Sequence, residues 1–394
     1  MFELLSEPRK DPILSLSAAF KEDPRENKMD LGIGVFRNND GITPVMAAVK
    51  AAERYLLDNQ PSKAYVGLAG DEVFNQAITE LLLSGTKAFD RAIALQTPGA
   101  SGALRMLADL IRQTKPNSTV WISDPGYVNH RPIMETAGLS VKTYPYFDAE
   151  NKGLKADAML AQIKQLGKDD ILLLHGCCHN PTGVDLEFSH WQQIAEMSRQ
   201  QGFMPFIDIA YQGFGDGLVQ DLKGLQHIVD QVDEVLVTTS CSKNFGLYRE
   251  RTGAAVIIGK TRQDSVKARA RMFEIVRASY TMPPDHGSAI VAHILTTPEL
   301  KALWQQELDA MLSRIKTLRT ALRNQFQAKT GDDRFAFFER HKGMFSVTGL
   351  SVDQVNQLRE EFGIYIVGDS RVNIAGLQEQ AIPYLVDAFL AVGA

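Results

Sequence analysis

Three apolar runs in this sequence end in residues able to do chemistry. Ile171-Leu172-Leu173-Leu174 leads into His175-Gly176-Cys177-Cys178-His179-Asn180-Pro181-Thr182-Gly183, and Phe206-Ile207 leads into Asp208-Ile209-Ala210-Tyr211. Val235 to Thr239 leads into Ser240-Cys241-Ser242-Lys243-Asn244-Phe245-Gly246. If these runs are parallel strands, their ligands bind beyond the carboxyl ends. A lysine, an aspartate, an asparagine and a tyrosine then meet at one edge. Upstream, Thr97-Pro98-Gly99-Ala100-Ser101-Gly102-Ala103-Leu104-Arg105 is a small-residue loop opening onto a helix, which offers free N–H groups to an anion such as phosphate. Arg251 adds a bidentate clamp for the same phosphate. Together these features suggest pyridoxal phosphate, with the lysine as its Schiff-base partner and the carboxylate keeping the pyridine nitrogen protonated.

The elements that must position these residues follow from the pattern of the chain. Its 394 residues allow two or three domains, and the 42 basic against 47 acidic side chains contain no basic run that would attract nucleic acid or an anionic membrane. The first residues, Met1 to Glu7, carry acids where a secretory signal carries bases, and no apolar stretch is long enough to span a bilayer. Three cysteines, two of them adjacent, offer no disulfide framework. These features predict a cytoplasmic protein. Short apolar runs at 119–123, 171–174, 205–207, 235–239 and 254–258 alternate with helical stretches, the pattern of a mostly parallel sheet buried on both faces. Thr297-Pro298-Glu299 predicts a helix start with Thr297 as cap, and Trp304, Leu308, Met311, Ile315, Leu318 and Leu322 form one stripe of some six turns. A smaller α+β domain is expected beyond it, with strands near 343–347 and 372–374.

Ser242 to Tyr248, His175 to Gly183 and Asp208-Ile209-Ala210-Tyr211-Gln212-Gly213-Phe214 resemble the corresponding segments of bacterial aspartate and aromatic amino acid aminotransferases. The resemblance runs from Asp11-Pro12-Ile13-Leu14 through Leu31-Gly32-Ile33-Gly34-Val35 to Ser370-Arg371-Val372-Asn373-Ile374-Ala375-Gly376. It implies a fold-type I pyridoxal-phosphate transferase: an α/β large domain with a mostly parallel sheet plus a smaller α+β domain. The expected division is an arm at 1–15, the small domain at 16–43 and 311–394, and the large domain at 44–310. By position, Lys243 would hold the cofactor and move a proton between Cα and C4′. Asp208 would pair with the pyridinium, and Asn180 and Tyr211 would bond its phenolic oxygen. Gly99, Ala100, Ser101, Ser240, Ser242 and Arg251 would form the phosphate cup, and Tyr127 would face the ring. Arg371, with Asn180 and the backbone of Gly34, would take the substrate α-carboxylate. Tyr65 would reach the neighbouring subunit's phosphate and Arg277 the side-chain carboxylate of a substrate there, so a homodimer is implied.

Three departures from that pattern stand out. Tyr127 occupies the place of a stacking tryptophan, Ala100 replaces a glycine and requires negative φ, and Ala64 and Met282 replace polar residues that would organise Arg277. The last change favours acceptance of aromatic as well as acidic substrates. Other readings remain open: a strict aspartate aminotransferase, a pyridoxal-phosphate lyase on the same fold, or a non-catalytic effector-binding module. His175, Cys177, Cys178 and His179 are metal-ligand types, but adjacent cysteines lack zinc spacing. Gly32-Ile33-Gly34 and Gly259-Lys260-Thr261 each lack a glycine that a nucleotide-binding loop requires.

Overall fold

The computed structural model describes residues 2–6 and 12–394. Asp11, and with it part of the arm expected at 1–15, lies outside the described residues; the helix Pro12–Glu22 crosses that arm's expected end. Seven strands form the main sheet: β1 Ala92–Pro98, β2 Thr119–Asp124, β3 Ser140–Pro145, β4 Asp170–His175, β5 Met204–Ile209, β6 Val235–Ser240 and β7 Thr252–Ile258. Their order is β1-β7-β6-β5-β4-β2-β3. From β3 across to β6 every pairing is parallel, whereas β7 runs antiparallel to both β1 and β6.

Side-chain alternation explains the unbroken apolar runs. Leu172, Leu174, Ile207, Val237 and Val256 enter one core, while Ile171, Leu173, Phe206, Leu236, Ala255 and Ile257 enter the core on the opposite face. Both faces are covered by helices, so successive positions through the middle of a central strand are apolar whichever face they meet. Register then aligns the polar strand ends. His175 lies opposite Asp208, and Asp208 opposite Thr238, which forms a polar row at one edge of the sheet. A slip of one residue would turn Asp208 to the other face.

The predicted stripe belongs to a 33-residue helix, Pro298–Thr330, which runs well past Leu322 and stops at Gly331 in the left-handed region. Thr297 precedes it as expected but caps no backbone N–H; its hydroxyl instead stands 3.5 Å from His293 Nδ1. Proline at the first helical position supplies the start. Trp304, Leu308, Met311 and Ile315 pack into the core of the main sheet, while Leu318, Leu322 and Phe326 pack with Leu31, Phe338, Ile364 and Phe389 in a separate cluster. Around that second cluster, Phe345–Val347 pairs antiparallel with Arg371–Asn373, and Met29–Asp30 pairs parallel with Ile364–Tyr365. Residues early in the chain are thereby brought beside Arg371. Among the described residues no helix is long and apolar enough to cross a membrane.

Phe326 is fully buried and stacks on Phe335 at 3.8 Å between ring centroids. Truncation of Phe326 to alanine is expected to lower stability by about 3–5 kcal/mol, read as a shifted urea midpoint. An unchanged midpoint would contradict the account of this cluster as a packed core.

Candidate active site

The carboxyl edge of the sheet opens into a cavity of about 250 Å³. Each strand delivers its residues there for a local reason. Asp208 lies within β5, with Tyr211 just after it; Asn180 follows β4; Ser240 ends β6, and Ser242 and Lys243 follow it. Arg251 precedes β7, and Ala100 and Ser101 open the helix Gly99–Thr114 that leaves β1. All of these line the cavity, as do Gly34 and Tyr127. Gly99 and Arg371 do not line it but adjoin lining residues, Gly99 at Arg251 and Arg371 at Asn180. Arg371 is buried and donates to Asn180 Oδ1 at 3.2 Å and to the Gly32 carbonyl at 2.8 Å. Tyr65 and Arg277 lie elsewhere: both side chains are exposed, and neither lines this chain's cavity.

Electrostatics divide the cavity into two ends. Lys243 is half-buried in the cavity wall, and partial removal of its amine from water lowers its pKa to about 8, with Asp208 opposing that shift and Arg251 and Arg371 reinforcing it. Its Nζ lies 4.6 Å from the centre of the Tyr211 ring. Burial raises the Asp208 pKa, but the hydrogen bond and charge of His130 outweigh it, and the carboxyl stays below its ordinary range. His130 Nε2 stands 3.0 Å from Asp208 Oδ2, and Thr238 donates to Oδ1 at 2.6 Å. A carboxylate whose pKa is held below its ordinary range is thus fixed in the polar row at the sheet edge, suited to hold a proton on a ring nitrogen.

At the other end the chain is built for an anion. Pro98, which precedes the helix Gly99–Thr114, caps no backbone N–H, and the first turn of that helix lines the cavity at Ala100 and Ser101. Gly99 has φ +67°, and a Cβ there would fall 2.6 Å from Arg251 Nη2. Both the backbone conformation and the nearby guanidinium favour glycine here, since a side chain would be strained and would displace Arg251. Ala100, where negative φ was required, does not fall in the left-handed region. Arg251 itself is held at φ +51°, and its Nη1 donates to the Tyr248 carbonyl at 3.2 Å and to Ser242 Oγ at 3.4 Å. These residues fit a phosphate ester, and the carboxylate end fits a protonated pyridine.

Several contributors carry no local sequence signal or were passed over. Tyr248 lines the cavity and accepts the Phe36 N–H at 3.0 Å. His130 begins a short helix away from any apolar run and meets Asp208 only through the fold. Phe345 lies beneath Arg371, 4.4 Å from its guanidinium carbon. Cys177 and Cys178 group with Asp221 and not with the neighbouring histidines, and burial pushes the Cys178 thiol up so that it stays protonated.

Comparison with known proteins places these features in context. The family described as aminotransferase class I and II matches residues 26–389. The chain is 45% identical over 383 residues to the aromatic-amino-acid aminotransferase of Paracoccus denitrificans, covering 97% of both chains. It is 43% identical to the aspartate aminotransferase of Salmonella typhi over the full length of both. A crystal structure of the Burkholderia pseudomallei aromatic-amino-acid aminotransferase covalently bound to pyridoxal phosphate superposes with a TM-score of 0.97 at 38% identity, covering 100% of this chain and 99% of that one.

The shifted Lys243 amine has a measurable consequence in the cofactor-free protein. Between about pH 8 and its ordinary value of 10.5 the unfolded chain still binds the proton that the folded amine has shed. Stability contributed by this group therefore rises with pH across that interval. Unfolding of wild type and of Lys243→Met, compared from pH 8 to 10.5, should show that rise in the difference between them. A pH-independent difference would contradict the half-buried, perturbed amine.

Proposed function

The chain belongs to the class I and II aminotransferases, and from that premise we propose that it moves the amino group of aspartate and of aromatic amino acids to 2-oxoglutarate, with pyridoxal phosphate held in the cavity around Lys243. The observation that carries this reading is the convergence of a half-buried neutralisable amine, an ionised carboxylate and an anion cradle on one cavity. Relatives of nearly equal identity named for aromatic and for aspartate substrates support the breadth of the assignment. When bound, pyridoxal phosphate supplies an aldehyde that condenses with amines and a ring that withdraws electrons from the substrate Cα.

The chain's own residues do the rest. Arg371, rigidly held by Asn180 and the Gly32 carbonyl, takes the α-carboxylate through its planar fork and so fixes which bond at Cα faces Lys243. Lys243 Nζ, with a pKa near 8, removes the Cα proton and returns it on the other side of the transfer. Asp208 holds the ring-nitrogen proton in place throughout, and His130 and Thr238 keep its carboxylate ionised and aimed. Ser101, Ser240, Ser242 and Arg251, with the N–H groups at Gly99 and Ala100, anchor the phosphate. Tyr127, which lines the cavity, would face the ring, its phenol kept neutral chiefly by burial. The first oxo acid leaves before 2-oxoglutarate enters the same Arg371 clamp, so donor and acceptor alternate at one site.

The working unit in this reading is a cytoplasmic homodimer. Tyr65 of each protomer reaches its partner's phosphate, and Arg277 meets the side-chain carboxylate of a dicarboxylic substrate in the partner's site. Exposure of both side chains in the single chain supports this, as does the bond from Val66 N–H to Met282 Sδ at 3.1 Å, which ties the Tyr65 segment to the residues following Arg277. Burial of all three cysteines as free thiols accords with a reducing compartment.

Two substitutions test the assignment. Lys243→Ala should fold, lose the covalent cofactor link and abolish turnover; retained full activity would overturn the mechanism. Arg277→Ala should reduce kcat/KM for aspartate by about a hundredfold while phenylalanine changes less than about threefold, because only the carboxylate loses a charged partner. Equal losses for both substrates would refute the role of Arg277.

A further inference from the structure

Arg319 lies in the middle of the long helix and is 2% exposed, yet none of its hydrogen bonds goes to a carboxylate. Its guanidinium donates to the carbonyls of Phe338 at 2.9 Å, Lys342 at 3.3 Å, Gly343 at 2.8 Å and Phe345 at 2.8 Å, and to Ser346 Oγ at 2.9 Å. Burial of an arginine costs heavily unless its donors are satisfied, and here Nη1 and Nη2 take four main-chain carbonyls and a hydroxyl of one tight segment, while Nε has no partner. That segment leads directly to the active site. The Phe345 ring lies 4.4 Å from the Arg371 guanidinium carbon and 6.0 Å, edge to face, from the Tyr211 ring. A Cβ on Gly34 would fall 2.7 Å from its tip, so the ring also fills the space against the cavity's Gly34 wall.

We propose that Arg319 is a positioning residue for substrate carboxylate binding: by gathering the carbonyls of Phe338, Lys342, Gly343 and Phe345 it fixes the Phe345 ring beneath Arg371, and the ring fixes the plane of the guanidinium that clamps the α-carboxylate. The proposal rests on the reading of Arg371 as the carboxylate clamp. It explains a cation that meets no anion. The fork of Arg319 is used here as a template for main-chain geometry, and its charge is balanced by converging carbonyl dipoles. Lysine cannot reproduce five bonds in fixed directions, so the conservative exchange is itself informative.

The experiment compares wild type, Arg319→Lys, Arg319→Gln and Phe345→Leu as holoenzymes. The first reading is binding of 3-phenylpropionate, a monocarboxylate without an amino group, followed by the cofactor absorbance; the second is kcat and KM for aspartate and phenylalanine. Each variant is expected to weaken 3-phenylpropionate and to raise KM for both amino acids by a common factor of about tenfold, with kcat changed less than about threefold. Phe345→Leu leaves the main-chain bonds of Arg319 in place and removes the ring alone, so it tests the link even if the Arg319 variants fold poorly. Loss of thermal stability in the Arg319 variants with unchanged monocarboxylate binding would show a structural role only and overturn the proposal. Unchanged binding in Phe345→Leu would also overturn it. Binding is read without turnover, so absence of transamination by wild type would defeat the functional assignment while the comparison of variants still decides the role of Arg319.

Discussion

A lysine amine placed in a water-poor cavity beside two guanidinium groups cannot keep its proton at its ordinary affinity, and that constraint on Lys243 governs the rest of the site. Partial burial and the charges of Arg251 and Arg371 favour the neutral amine, while Asp208 pulls the other way, and the balance falls near pH 8. Each of the opposing groups has a second duty. In the proposed function Arg251 holds the cofactor's phosphate, Arg371 the substrate carboxylate and Asp208 the ring nitrogen. The same charges that bind cofactor and substrate thus tune the base between them, which is economical but leaves none of them free to vary alone.

The scaffold answers this constraint by rigidity. Asp208 is held in a strand that is buried on both faces, between the registers of His175 and Thr238, so its carboxylate cannot turn toward water to relieve its burial. The lysine loop is fixed from behind by Trp304, which stacks on Phe245 at 4.5 Å and donates from its indole to the Asn244 carbonyl at 2.7 Å. Trp304 stands on the long helix whose later turns build the cluster behind Arg371. One helix therefore supports the base through its first half and the carboxylate clamp through its second.

Much of this was legible in the sequence because the physics that buries a parallel strand leaves an unmistakable run of apolar residues. The runs at 119–123, 171–174, 205–207, 235–239 and 254–258 all became strands, each one to three residues longer than the run. Two strands of the main sheet lack such a run: Ala92–Pro98 alternates alanine with larger apolar residues and ends in polar ones, and Ser140–Pro145 lies at the sheet edge with Ser140, Lys142 and Thr143 exposed. Composition also carries no direction, so nothing announced that β7 runs against its neighbours. The chemistry at strand ends was readable for the same reason as the strands. Residues that act from outside those ends were not: His130, Phe345 and Arg319 reach the site only through tertiary packing, and no spacing along the chain marks them. Tyr65 and Arg277 came from resemblance alone, since each would act in a second copy of the chain.

The most direct test of the central claim is a single-turnover absorbance titration of the purified holoenzyme, with L-aspartate and then with L-phenylalanine, followed across pH. The account predicts that both amino acids convert the cofactor from its aldehyde to its amine form without an acceptor present, and that the rate rises through an apparent pKa contributed by the active-site base. Conversion by aspartate alone would contradict the breadth assigned to the site, and conversion by neither would contradict the assignment of Lys243 as the base of an aminotransferase.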